Sequence, residues 1–497
     1  MKRPLHARSL LRFATVLAGL CAVHVASAEA APAPETCPPN GWQENLPNYL
    51  KPDAAFPTQD TPIGARDCAF HEWSWEAFTW ATALDGKGTP RFLSLHTPED
   101  LFKPAGAAPR ELHLGLRAAH PADAPHIEGA GAIVEADGNL LVAPNGYPIY
   151  ASVHMNDAYF ETAKRNLVSN GGYQANTDAD HFPVGAAVFK ATWLRLDDGE
   201  MPPPGAYVTL ARVPVLGVAL TPNDTLYASP NGQTKLVKVA LLGLHVVGHT
   251  INHPEFLWAT FEHHLNSPRV PDGTNKPAPS TSVAENFTLY AGNTPFNQCD
   301  IPSTATTVST TSSVTSLTTP STTVTTNSTV TQTPRYTFDA ATQKFSPSTN
   351  VVLWNATGSE THSPHGPANI AALNLSAQRF FRTQKEPQST FAHYDLIGTV
   401  WMDAGTYNLN SNQSNAVGSV NLANSTAETF VQNAAGTTTP ATVGNCFSCH
   451  NPQTFTSVAP MPNLQPRRIA LSHVLSAGTF YAVPNQIAVQ VPAGTVR

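Results

Sequence analysis

Lys235-Leu236-Val237-Lys238-Val239-Ala240-Leu241-Leu242-Gly243-Leu244-His245-Val246-Val247-Gly248-His249 is a long apolar run rich in Val and Leu. Branched aliphatic residues without turn formers in a bounded stretch favour a buried strand. Working outward, residues 186–196 (Ala-Ala-Val-Phe-Lys-Ala-Thr-Trp-Leu-Arg-Leu) and residues 206–214 carry the same signal. Residues 256–263 continue it after Pro254. Residues 130–150 alternate in polarity and contain Asp137-Gly138 and Asn145-Gly146, which read as hairpin turns.

Helical signals flank and punctuate the strands. Residues 67–83 hold His71-Glu72-Trp73-Ser74-Trp75-Glu76-Ala77-Phe78-Thr79-Trp80, whose aromatics fall near helical spacing. That pattern predicts a buried helix. Residues 156–169 read as a second helix capped by Asn156 or Asp157, and residues 367–384 as a third. Residues 389–402 form a mixed apolar segment, and residues 426–432 lead toward the C-terminal part. The fold class is therefore α+β. A β-rich body with several helices is expected, with a small, mainly helical C-terminal segment packed against it.

The segment boundaries follow composition. Lys2, Arg3, Arg8 and Arg12 precede an apolar stretch from Phe13, and Ala26-Ser27-Ala28 and Ala28-Glu29-Ala30 supply small-x-small sites. Residues 1–30 thus read as a secretory signal peptide. The apolar stretch is shorter than the roughly 20 residues a spanning helix needs, so no stable membrane span is expected. A periplasmic or secreted location follows. Residues 31–300 form the mixed body. Residues 301–335 are almost wholly Ser, Thr and Val, and low complexity of this kind reads as a flexible insertion. Residues 336–497 form the helical C-terminal part. Charged residues make up 13% of the chain and the formal net charge is −7, a balance that argues against a nucleic-acid partner.

Six cysteines are present. Cys21 falls in the signal segment. Among Cys37, Cys68 and Cys299 one bridge can form; Cys37 with Cys68 is the nearer pair, and Cys68 with Cys299 is the rival. The remaining two lie in Cys446-Phe447-Ser448-Cys449-His450, the spacing of haem c attachment. One helical turn brings both thiols to the same porphyrin edge and turns the histidine inward beneath the metal. The expected cofactor is one covalent haem c, with Cys446 and Cys449 as thioether donors and His450 as proximal iron ligand. A zinc site would need further ligands at short spacing, and no second cysteine pair exists.

For the sixth iron position, His473 is the favoured ligand, in Leu471-Ser472-His473-Val474. Met461, in the Pro-rich Ala459-Pro460-Met461-Pro462, is the other downstream candidate. An open site or an upstream ligand remains an alternative. Arg467 and Arg468 are placed to pair with haem propionates, or else form a solvated turn. His245, His249, His253, His263 and His264 crowd into 20 residues. His245-Val246-Val247-Gly248-His249 has the spacing of a zinc-protease helix, but Val246 stands where the general-base Glu is required. These histidines read as core residues, haem-pocket lining or a non-catalytic metal site.

Several strings together resemble a bacterial family of secreted c-type cytochromes with a C-terminal CxxCH motif. They are Trp75-Glu76-Ala77-Phe78, Phe189-Lys190-Ala191-Thr192-Trp193, Gly243-Leu244-His245-Val246-Val247 and Pro254-Glu255-Phe256-Leu257-Trp258-Ala259-Thr260-Phe261-Glu262-His263. Tyr394-Asp395-Leu396-Ile397-Gly398-Thr399 and Leu422-Ala423-Asn424-Ser425-Thr426-Ala427-Glu428-Thr429-Phe430 follow. The resemblance implies one integrated unit with the haem at its end, and supplies no reaction. Electron transfer with an unidentified redox partner protein is the leading expectation. A haem enzyme of peroxidase or oxygenase type, or a haem-containing ligand-binding sensor, stands beside it. The size of the chain favours these, because a simple carrier needs only about a hundred residues.

Overall fold

The computed structural model describes residues 37–450 and 487–490, apart from residue 40 and segments 60–66, 103–110, 117–139, 167–180, 221–225, 271–280, 302–303, 315–323, 335, 355–365, 404–406, 408–415, 420–422 and 433–445. The predicted signal segment lies outside these residues. The architecture is mixed α+β, built around one large antiparallel sheet. No helix among the described residues is long and apolar enough to cross a membrane.

The apolar run 235–249 forms the second half of the sheet's longest strand. The first six strands are β1 (Gly115–Leu116), β2 (Tyr150–Met155), β3 (Ala187–Arg195), β4 (Val208–Leu220), β5 (Leu226–Gly248) and β6 (Leu257–His263). Later in the chain come β7 (Thr304–Val314), β8 (Val324–Pro334), β9 (Thr337–Asp339), β10 (Lys344–Ser346), β11 (Tyr394–Met402), β12 (Ala416–Gly418) and β13 (Ile487–Ala488). The sheet runs β1-β2-β3-β5-β6-β11-β12. β5 is long enough to serve two sets of neighbours. Its second half lies between β3 and β6, and its first half pairs with β4 and β13. Strands β11 to β13 follow the Ser/Thr-rich segment in sequence, yet they complete the same sheet as β1 to β6. The Ser/Thr-rich segment, read from composition as a flexible insertion, pairs with itself as the hairpin β7-β8 and joins no other strand. Its Thr and Val content favours extended backbone.

One face of the sheet is covered by two helices. α1 (Leu46–Tyr49) is a short turn ahead of α2 (Asp67–Thr82), and α4 (Gly366–Arg382) packs beside α2. The aromatic stretch foreseen as a helix core is that: Trp73, Trp75 and Phe78 are fully buried. Phe78 stacks on Phe261 of β6 at 4.2 Å, and Trp75 meets the same ring edge-on at 4.9 Å. Trp75 Nε1 donates to Asn374 Oδ1 of α4 (3.1 Å), and Asn374 exchanges two bonds with the backbone of Leu396 on β11. Helix, helix and strand are thereby tied at one point. Ser74, Thr79 and Thr82 are buried in α2 because each hydroxyl donates to the carbonyl four residues back. α3 (Asp157–Asn166) starts where expected, with Asn156 Oδ1 accepting the Tyr159 N–H. Cys37 and Cys68 form the disulfide, which anchors the start of α2, and Cys299 is a buried free thiol.

Candidate functional site

The opposite face of the sheet is where the chemistry-bearing residues meet. Side chains on one face recur every second residue, so the register gives them as rows. The first row, Val188 of β3, Val247 of β5, Trp258 of β6 and Val400 of β11, is mainly apolar. The second, Lys190, His245 and Thr260, is polar. The third, Thr192, Gly243 and Glu262, ends on a buried carboxylate. Beyond it Leu194, Leu196, Ala240 and Leu242 are apolar again. A polar belt therefore crosses a face that is apolar at both ends.

The Cys446-Phe447-Ser448-Cys449-His450 stretch sits at the first row. α5 (Cys446–Cys449) is a single helical turn, and the His450 N–H donates to the Cys446 carbonyl at 2.8 Å. Phe447 is fully buried in a cluster with Met155, Tyr159, Phe256, Val400 and Met402, and Cys446 packs at its rim. Trp258 receives the motif: its ring lies 5.9 Å from Phe447 edge-on and 4.5 Å from the His450 imidazole. Trp258 is itself fixed by Nε1 donating to the Glu255 carbonyl (3.0 Å). One turn thus presents a thiol and an imidazole over an aromatic and aliphatic shelf. His473, Met461, Arg467 and Arg468 lie outside the described residues.

The belt is closed by a loop that sequence reading left unassigned. Residues 423–429 lie directly on Gly243, where a Cβ would stand 2.8 Å from Thr426 Oγ1 and 3.0 Å from Thr192 Oγ1. Glu428 Oε2 sits 3.0 Å from His245 Nε2, and its other oxygen 3.4 Å from Lys190 Nζ. Asn424 Nδ2 donates to Glu428 (2.7 Å), and Thr260 Oγ1 lies 2.9 Å from His245 Nδ1. Asn424 Nδ2 also lies 2.8 Å from His245 Nε2. Glu262 is 2% exposed. Its carboxylate accepts the Ser425 N–H at 2.6 Å and the Ser425 hydroxyl on its other oxygen. Burial pushes its pKa up to about 7, against the Ser425 hydrogen bonds and the neighbouring His245 and Arg269, which hold it down.

The crowded histidines do not form one site. His245 is in the belt, His263 points to the helix-covered face and donates to the Pro204 carbonyl, and His264 is exposed. His253 is buried at the β5–β6 connection, where its Nδ1 lies 2.7 Å from Glu255 Oε1. Burial, with the neighbouring His264 and His393, lowers the His263 pKa to about 3, so it is neutral. Among the described residues, three potential metal-ligand atoms gather only at Cys37, Cys68 and Glu72, and the two cysteines are disulfide-bonded. Sequence reasoning flagged His245 but missed Lys190, Trp258, Glu262, Asn424 and Glu428.

Comparison with family models, with curated proteins and with solved structures finds no match to this chain.

Proposed function

We propose that this chain is a periplasmic monohaem c-type cytochrome that passes electrons through a covalently bound haem c. The observation that carries the reading is the Cys446–His450 turn, seated with its imidazole against Trp258. Three features fit the group. Cys446 packs at the rim of the shelf, His450 follows one helical turn on, and the surrounding shelf is apolar and aromatic enough to take a macrocycle. Cys446 and Cys449 would hold the haem covalently and His450 would supply the proximal nitrogen. Bound there, the haem supplies a one-electron redox centre. The chain's own share is to bind, orient and shield. Phe447 and Trp258 fix the turn, the aliphatic row excludes water, and Glu255 fixes Trp258 through its carbonyl. His473 remains the proposed sixth ligand, with Met461 as the rival, and Arg467 as the proposed partner of a propionate. The strings that resemble secreted c-type cytochromes converge on this sheet, which supports the same reading.

The polar belt beside the motif favours a second reading, a haem enzyme of peroxidase or oxygenase type. Optical spectra of the purified protein with and without carbon monoxide separate the two. A six-coordinate low-spin spectrum indifferent to carbon monoxide is expected for electron transfer. Ready carbon monoxide binding would favour the enzyme. His473→Ala should alter that spectrum, and an unaltered spectrum would remove His473 as ligand.

A further inference from the structure

Glu262 is a buried carboxylate with no lysine or arginine bonded to it, on the same strand face as Trp258. The two are four residues apart on β6, about 13 Å along the strand. Trp258 touches His450, so Glu262 lies in the same belt-and-shelf face as the metal end of the motif. Its hydrogen bonds allow it to change charge in place. As a carboxylate it accepts from the Ser425 N–H and the Ser425 hydroxyl. As a carboxylic acid it can donate to the Ser425 oxygen, whose hydroxyl rotates from donor to acceptor. Neither state leaves Glu262 without a partner.

Glu262 also lines a small cavity whose other walls include His264, Arg269 and Asp395. His264 and Arg269 reach solvent, and Arg269 Nη2 pairs with Asp395 at 3.0 Å. The charged and titratable groups facing Glu262 come from every neighbouring element: Lys190 on β3, His245 on β5, Asp395 on β11, Arg269 and His264 after β6, and Glu428 from the covering loop. Lys190 with Glu428 and Arg269 with Asp395 are already matched. Of the three carboxylates in this set, Glu428 and Asp395 each pair with a cation, whereas Glu262 is bonded to Ser425.

We propose that Glu262 is a proton acceptor coupled to electron uptake at the haem. When the site gains one electron from its donor protein, the Glu262 carboxylate forms one O–H bond with a proton drawn from solvent. When the electron leaves to the acceptor, that bond breaks and the proton returns, so the face keeps its net charge. Burial places the carboxyl near neutrality, so a change of charge on this face is felt in its protonation. The inference rests on the haem reading above.

The test is a redox titration of the purified haem protein, followed optically, between pH 5.5 and 8.5. The midpoint potential of the wild type should fall as pH rises through neutrality. Glu262→Gln should flatten that dependence. Ser425→Ala offers a second arm that leaves the carboxyl in place. Removing a hydroxyl that favours the ionised form should move the sloping window to higher pH. A flat wild-type potential, an undiminished slope in Glu262→Gln, or an unmoved window in Ser425→Ala would each overturn the proposal. A purified chain with no covalent haem would remove the functional reading and this inference together. A haem protein with a flat potential would remove this inference alone.

Discussion

The two faces of the large sheet are built on opposite logic. The helix-covered face is closed by aromatic packing, with Trp75 and Phe78 of α2 pressed on Phe261, and its buried polar groups, such as Ser74, Thr79 and Asn374, are met by neutral hydrogen bonds. The loop-covered face carries charges at its centre and tolerates them through a network, with Glu428 and Ser425 supplied by one loop. Apolar burial of the first kind is the main source of stability. A buried polar network adds little net stability and fixes one arrangement of groups, because each partner removed leaves another unsatisfied. The difference teaches that the face closed by aromatic packing is separate from the face that holds the Cys446–His450 turn and the buried charges.

Substitutions on each face should therefore fail differently. The largest loss of stability is expected from Trp75→Ala, which opens a cavity and frees Asn374; it should cost about 3–5 kcal/mol in chemical denaturation. Its spectrum should stay that of the wild type in whatever fraction folds. Glu262→Gln should act through pH. The folded-state pKa of Glu262 is raised from 4.5 to about 7, so the unfolded chain releases this proton first. The wild type should then lose stability as pH rises from about 4.5 to about 7, by up to about 3 kcal/mol. The Gln variant should lack that loss, and melting curves across the window would show it. On the acid side the order reverses. His154 and His263, both buried and depressed to about 3, oppose folding as pH falls from about 6.5 toward 3.

Gly243→Ala pushes a Cβ against Thr426 and Thr192, and should cost about 2 kcal/mol while lifting the loop from the belt. Amide hydrogen exchange at residues 424–429 should rise in that variant and stay unchanged in Trp75→Ala at matched stability. Lys190→Met has the smallest effect, about 1 kcal/mol, since the ion pair is long and only partly shielded. A loss in Lys190→Met as large as that in Trp75→Ala would break the contrast between the faces.

Much of the helix-covered face was legible in the sequence. The aromatic spacing of residues 67–83, the Asn156 cap and the four apolar strands each follow a local rule, and each forms where that rule puts it. The nearer cysteine pair is also the one that bridges. Residues 389–402 had no clear period, because a bulge between Leu396 and Gly398 shifts the alternation within β11. The belt was harder to read. Lys190, His245 and Glu262 each place a titratable side chain in a largely apolar stretch of strand, and that interruption is the signal that could have marked them. Their meeting depends on the register of three strands, and Glu428 arrives from about 180 residues further along the chain. No local pattern encodes either. The proposed haem turn is the opposite case, since the whole of its signal lies in five consecutive residues.

The central claim is the covalent haem at Cys446 and Cys449. Its most direct test is intact-mass and peptide mass spectrometry of the exported protein, produced with periplasmic haem-attachment machinery. The account predicts a chain heavier by one haem, with the added mass on the peptide that contains Cys446 to His450 and lost when both cysteines are changed to alanine. A chain of unmodified mass would contradict it.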